Sequence, residues 1–141
     1  MEIIKKFNKV GNGHSQYYVL DLLRWALGGL LFFKGVQFMM NTSYLVDIIN
    51  PQSRDLLTIV LVHYIAFVHL AGGIFIVLGL LTRWVIAVQI PILVGAVIVS
   101  GGGQEGTLEA ALALYAFLSG MYLFVVGSGK HSVDYNLKLE V

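Results

Sequence analysis

The chain has no cysteine. Disulfides, Cys-x-x-Cys redox chemistry, thiolate metal sites and palmitoylation are thereby excluded. Charge is also scarce. Only 12% of the 141 residues are Asp, Glu, Lys or Arg, against about 25% in soluble domains. The formal net charge is +1, so nothing in the charge balance points to nucleic acid as a partner. The two prolines are Pro51, in a loop signal, and Pro91, inside an apolar block.

What the chain has instead is hydrophobic residues, 57% of the total. A soluble domain this small could not hide so much apolar surface. They come in four blocks, each near the roughly 20 residues that a helix needs to cross a bilayer. The blocks predict helices over 18–40, 56–81, 84–100 and 108–126. Strict two-residue alternation is absent, which excludes barrel strands. The first block is long, holds Asp21, Arg24 and Lys34, and lacks a small-x-small cleavage site; it is expected to be retained rather than removed as a signal peptide. The expected fold class is all-α: one integral membrane domain over 1–141, a four-helix bundle running up-down-up-down.

Breaks separate the blocks. Asn41-Thr42-Ser43 and Asn50-Pro51-Gln52-Ser53-Arg54 bracket the first loop, within which Tyr44, Leu45, Ile48 and Ile49 have the spacing of a short interfacial helix. Thr82-Arg83 forms a tight second connection and 101–106 a glycine-rich third. Of the nine lysines and arginines, Lys5, Lys6, Lys9, Arg24, Arg83, Lys130 and Lys138 fall on one side; Lys34 and Arg54 fall on the other. The positive-inside rule places both termini in the cytoplasm. Gly28/Gly35 and Gly72/Gly79, each seven residues apart, mark faces where two helices can approach closely.

Ionisable residues inside a span are costly and are candidate functional groups. Asp21 and Arg24, three apart near the inner end, read as an interfacial ion pair that fixes helix depth. Lys34 lies about 9 Å below the outer end of the first helix. It either snorkels outward along Gln37 and Asn41 or pairs inside the protein. His63 and His69 are six residues, or about 600°, apart on the second helix. They point about 120° from one another and cannot share a metal or clamp a haem, so no metal site is expected. His69 shares the side of the helix with Gly72, Gly73 and Gly79 and should face the bundle, as a link between helices or as a ligand contact. Glu105 suits the start of the fourth helix through the macrodipole; Glu109 lies one turn deeper. Lys34, Gln37, His63, His69 and Glu109 all fall in the outer half of the bilayer. Left unpaired each would cost several kcal/mol, so they are expected to meet in one polar cavity that opens outward or into the outer leaflet.

The same stretches carry a family resemblance. Leu23 to Gln37, Ala71-Gly72-Gly73 followed by Gly79-Leu80-Leu81-Thr82-Arg83, and Gly127-Ser128-Gly129-Lys130-His131-Ser132-Val133-Asp134 resemble, in order and spacing, the DoxX family of small four-helix bacterial membrane proteins. The resemblance runs from about Asp21 to Asn136. It departs from the family's usual pattern at Lys34, Phe38 and His69, where relatives often carry His, Lys and Glu. It implies a multi-pass protein of the bacterial cytoplasmic membrane. Some relatives are subunits of a thiosulfate:quinone oxidoreductase, others belong to stress-defence complexes, and distant ones assemble or carry other membrane proteins. Two functions follow as expectations. One is a redox-associated subunit that binds a quinone or similar lipid-soluble ligand through Lys34, Gln37, His63, His69 and Glu109 and takes electrons from a partner. The other is an assembly factor or accessory subunit with no catalysis of its own. A small transporter fits the one-sided polarity least well. Expected partners are membrane lipids and either a membrane or redox protein or further copies of this chain.

Overall fold

The structure, a computed structural model, describes residues 14–52, 54–102, 106–127, 129 and 132–137. Lys5, Lys6, Lys9, Glu105, Lys130, His131 and Lys138 lie outside them. The described residues are helical: α1 (His14–Met40), α2 (Thr42–Ile49), α3 (Leu56–Leu78), α4 (Thr82–Gly101), α5 (Thr107–Val126) and the short α6 (Val133–Asn136). By length and composition, α3, α4 and α5 can each cross a membrane. At about 1.5 Å per residue they run roughly 30–35 Å, the thickness of a hydrocarbon core. The longest, α1, is made more polar by Asp21, Arg24, Lys34 and Gln37.

Local chemistry sets the boundaries. Asp55 caps α3, its carboxylate accepting the amide of Thr58 at 3.1 Å and the Thr58 hydroxyl. Those bonds hold the Asp55 carboxyl below the usual carboxylate range. The predicted second helix, 56–81, ends early, at Leu78. Gly79 takes a left-handed conformation (φ 68°), its amide bonds Ile76 O, and the Leu80 amide reaches back to Phe75 O at 2.9 Å. This double closure is the Schellman stop that a glycine permits. Gly79-Leu80-Leu81 is therefore a turn, and α4 starts two residues before the predicted Trp84. The predicted interfacial segment is a full two turns, α2, whose Leu45 and Val46 bury against Val62 of α3.

The long helices pack as antiparallel neighbours. The most extensive contacts are α1 on α3 and α4 on α5. Between α1 and α3, three glycines form the seam. A Cβ added to Gly73 would lie 2.5 Å from the amide nitrogen of Phe32 and 2.6 Å from Gly28 O; one on Gly28 would meet Gly73 O at 2.7 Å, and one on Gly35 would meet Leu70 N at 2.6 Å. Backbone meets backbone, so no side chain can give way. The expected Gly72/Gly79 seam divides into two jobs. Gly72 faces Gln89 of α4, while Gly79 is the helix stop just described. Adjacent glycines serve different partners because neighbours on a helix point about 100° apart.

One apolar cluster fills the middle of the four long helices: Leu27, Leu31, Ile76, Ile86, Leu93, Ala116 and Leu123. Below, the end where α3 turns into α4 is called the base. The opposite end, where α2 lies, is the roof.

The seam has a direct test. Gly73→Leu forces α1 and α3 apart and should destabilise the protein by about 1–3 kcal/mol or more. Gly29→Leu, at a site where an added Cβ meets nothing within 4 Å, should leave stability nearly unchanged. Thermal unfolding in detergent compares the two.

Candidate functional site

A cavity of about 440 Å³ lies under the roof, between α1, α3, α4 and α5. Its floor is Leu31, Leu93 and Ala116, which are also part of the central core. Its roof is the inner face of α2, with Tyr44, Leu45, Ile48 and Ile49. Aliphatic and aromatic side chains make up most of the wall. Below the floor, Leu27, Ile76, Ile86 and Leu123 are 0–1% exposed and close the route toward the base.

Into this apolar space project few polar groups. Lys34 on α1 donates its ammonium to the Glu109 carboxylate on α5, a pair that joins two helices at the level of the cavity. The side chains are 16% and 35% exposed, so the pair is partly shielded from solvent. Shielding strengthens the attraction and raises the cost of losing either partner. His69 on α3 is 5% exposed and lines the same cavity. Its Nδ1 sits 3.1 Å from Ile65 O, one turn back. A carbonyl oxygen only accepts, so Nδ1 carries the proton there, and with the ring neutral Nε2 is an acceptor. The edge of the Phe38–His69 ring contact, with centroids 5.5 Å apart, holds the imidazole in place.

Of the five predicted site residues, Lys34, His69 and Glu109 thus share one cavity. Gln37 and His63 are not on its wall. Gln37 is three residues beyond Lys34, turned about 60° away on the helix, and its buried Oε1 has no hydrogen-bond partner among the described residues. His63 is exposed, with Nδ1 2.8 Å from Ile59 O. The 120° between the histidines means that turning His69 inward turns His63 out. The cavity is also more apolar than expected: the charges meet each other at one place, and apart from His69, Ser100, Tyr44 and Tyr64 the rest of the wall is apolar.

A second polar cluster, at the base, was anticipated only as the Asp21–Arg24 pair. Asp21 and Arg24 are 3.3 Å apart, and the Arg24 side chain is 2% exposed. The guanidinium lies against Gly79, where an added Cβ would stand 2.7 Å from it and 2.6 Å from the Cβ of Ser132. Asp134, on α6, accepts from the amides of Leu81 at 2.6 Å and Thr82 at 2.9 Å, while its own amide donates to Gly79 O at 2.9 Å. Leu81 has φ 49°, a conformation costing a non-glycine residue roughly 1–2 kcal/mol. Asp134 offsets that cost by supplying acceptors to two amides at the start of α4, where the helix dipole also favours a carboxylate. The stretches Leu23 to Gln37, Gly79 to Arg83 and Gly127 to Asp134, separate in sequence, therefore meet in a structural fastening. Their order hinted at a relation; only the fold shows that Asp134 caps a helix 52 residues earlier.

Helices long and apolar enough to span a bilayer, packed around an internal apolar cavity, define a multi-pass helical membrane protein. The DoxX family model matches residues 19–102, α1 through α4, and the chain belongs to the DoxX family. The Gly127–Asp134 stretch lies beyond that match. No curated protein and no solved structure matches the chain.

Asp134→Ala removes the acceptor of both amides. It should cost about 0.5–2 kcal/mol, as the loss of a helix cap does. Hydrogen exchange should rise first at Leu81 and Thr82; unchanged exchange there would show that the cap does not hold the turn.

Proposed function

We propose that this DoxX-family protein binds a quinone or similar lipid-soluble molecule in the cavity beneath α2, as a membrane subunit working beside a redox partner. The observation that carries the proposal is an apolar cavity of about 440 Å³ with three convergent polar side chains, Lys34, His69 and Glu109. Ligand sites have this size and this balance of many apolar walls and few placed polar groups. The chemistry suits both redox forms of a quinone. A Lys34 N–H not used by Glu109 can donate to a quinone carbonyl, and Nε2 of His69 can accept from a quinol hydroxyl. The sequence offers no cysteine for a dithiol or cluster, no histidine pair placed to clamp a haem and no flavin motif, so in this proposal a partner protein supplies the electrons. The closed core below the floor supports a binding site rather than a path across the membrane, and so disfavours a transporter.

The topology belongs to the same proposal. α1 is the fourth span, completing an up-down-up-down bundle in the bacterial cytoplasmic membrane. The base and both termini face the cytoplasm, as the distribution of lysine and arginine favours. The roof and α2 then lie at the outer surface.

The test is equilibrium binding of decylubiquinone and its reduced form to the purified full-length protein. Saturable binding of both is expected. His69→Phe keeps the ring packing on Phe38 but removes the acceptor. It should weaken the reduced form about tenfold, the value of one hydrogen bond of about 1.4 kcal/mol, and leave the oxidised form little changed. No saturable binding of either form would overturn the proposal and favour an accessory or assembly role.

A further inference from the structure

The cavity has a side door. Near their middles, α3 and α4 are in close contact: Gln89 donates to Val68 O at 3.0 Å, and Gly72 lets the Gln89 side chain lie against α3. Toward the roof the cavity lies between the two helices and is lined by both. Leu61, Tyr64 and Ile65 line it from α3, and Pro91, Gly95 and Ala96 from α4. Leu61 is 42% exposed and Tyr64 48%, and Pro91 is exposed as well, although all three line the cavity. The gap therefore opens on the outer surface of the helix assembly. At Gly95 an added Cβ would meet nothing within 4 Å. In a membrane protein the medium at that height is hydrocarbon, and the roof of α2 stands between the cavity and the end of the assembly.

We infer that the cavity is loaded sideways from the lipid, through the gap between α3 and α4, by a single-chain amphiphile with an uncharged head. The gap sets the route. The volume sets the shape: a head group and a short length of chain fit within, and a longer tail must leave through the opening, where it meets lipid. The charges set the head group. Lys34 and Glu109 neutralise each other, and the other polar side chains of the lining, His69, Tyr44, Tyr64 and Ser100, bring no acidic or basic charge of the Lys or Glu kind. A charged head would have to break the ion pair, whereas a hydroxyl or carbonyl adds to it. This rests on the cavity being a binding site, as proposed above, but the route is tested without a quinone.

The experiment uses the full-length protein in phosphatidylcholine vesicles that carry a monoacylglycerol brominated on its one acyl chain, a single-chain lipid with an uncharged head. Trp25 and Trp84 are changed to Phe, and Leu93→Trp places one fluorophore on the cavity floor, at a position 3% exposed in the native chain. Leu112→Trp, on the α5 wall, serves if the first variant does not fold. Bromine quenches only at close range, so entry of acyl chains should quench the reporter strongly. Adding Gly95→Phe, which fills the gap, should abolish that quenching, while aqueous iodide should quench neither form. Quenching by iodide in place of bromolipid would put the entrance on the water side and overturn the route. So would quenching by neither agent, or bromolipid quenching that Gly95→Phe leaves unchanged. If decylubiquinone fails to bind while bromolipid quenching persists and responds to Gly95→Phe, the quinone reading falls and the lateral route stands.

Discussion

An ammonium and a carboxylate inside a largely hydrocarbon environment must find each other, and here the pairing of Lys34 with Glu109 ties α1 to α5. Either ion alone would be expensive to keep charged in that setting. Together they make a neutral polar spot in a wall of leucine, isoleucine, alanine and aromatic side chains. The pair therefore joins two helices and places charge on the cavity wall at once.

The rest of the architecture sets where that spot can be reached. Two places are packed especially closely. Gly28, Gly35 and Gly73 bring α1 and α3 into backbone contact. At the base, Asp134, Arg24, Ser132 and Gly79 fasten the C-terminal segment to the α3–α4 turn. Toward the roof α3 and α4 both line the cavity, Pro91 and Gly95 among the α4 residues. The Leu27–Ile76–Ile86–Leu123 layer closes the cavity toward the base and makes it one-sided.

Much of this was legible in the residues alone. Helix ends at Met40, Gly101 and Val126 follow from hydropathy and from glycine or polar breaks, and the structure matches them within a residue. The meeting of Lys34 and Glu109 followed from opposite charge at similar depth, because membrane charges have few alternatives. His69 was expected inward from its glycine neighbours. What could not be read was which of two adjacent candidates faces the bundle. Helical periodicity gives relative angles, not absolute ones, so Gln37 and His63 were placed with the cluster although the structure turns them off its wall. The apolar walls were invisible for another reason: Leu, Ile, Ala and Gly serve equally as core, lipid face or cavity lining. The left-handed Leu81 and its cap from Asp134 are a tertiary contact between positions 53 residues apart, beyond any local signal.

The central claim is that Lys34 and Glu109 act as one unit. A double-mutant cycle of Lys34→Met, Glu109→Leu and the pair together, read by equilibrium unfolding in mixed micelles, tests it most directly. Each single change should strand a charge, and the double variant should be more stable than either, with a coupling energy of about 1–3 kcal/mol. Additive effects, with the double variant the least stable of the three, would contradict the account.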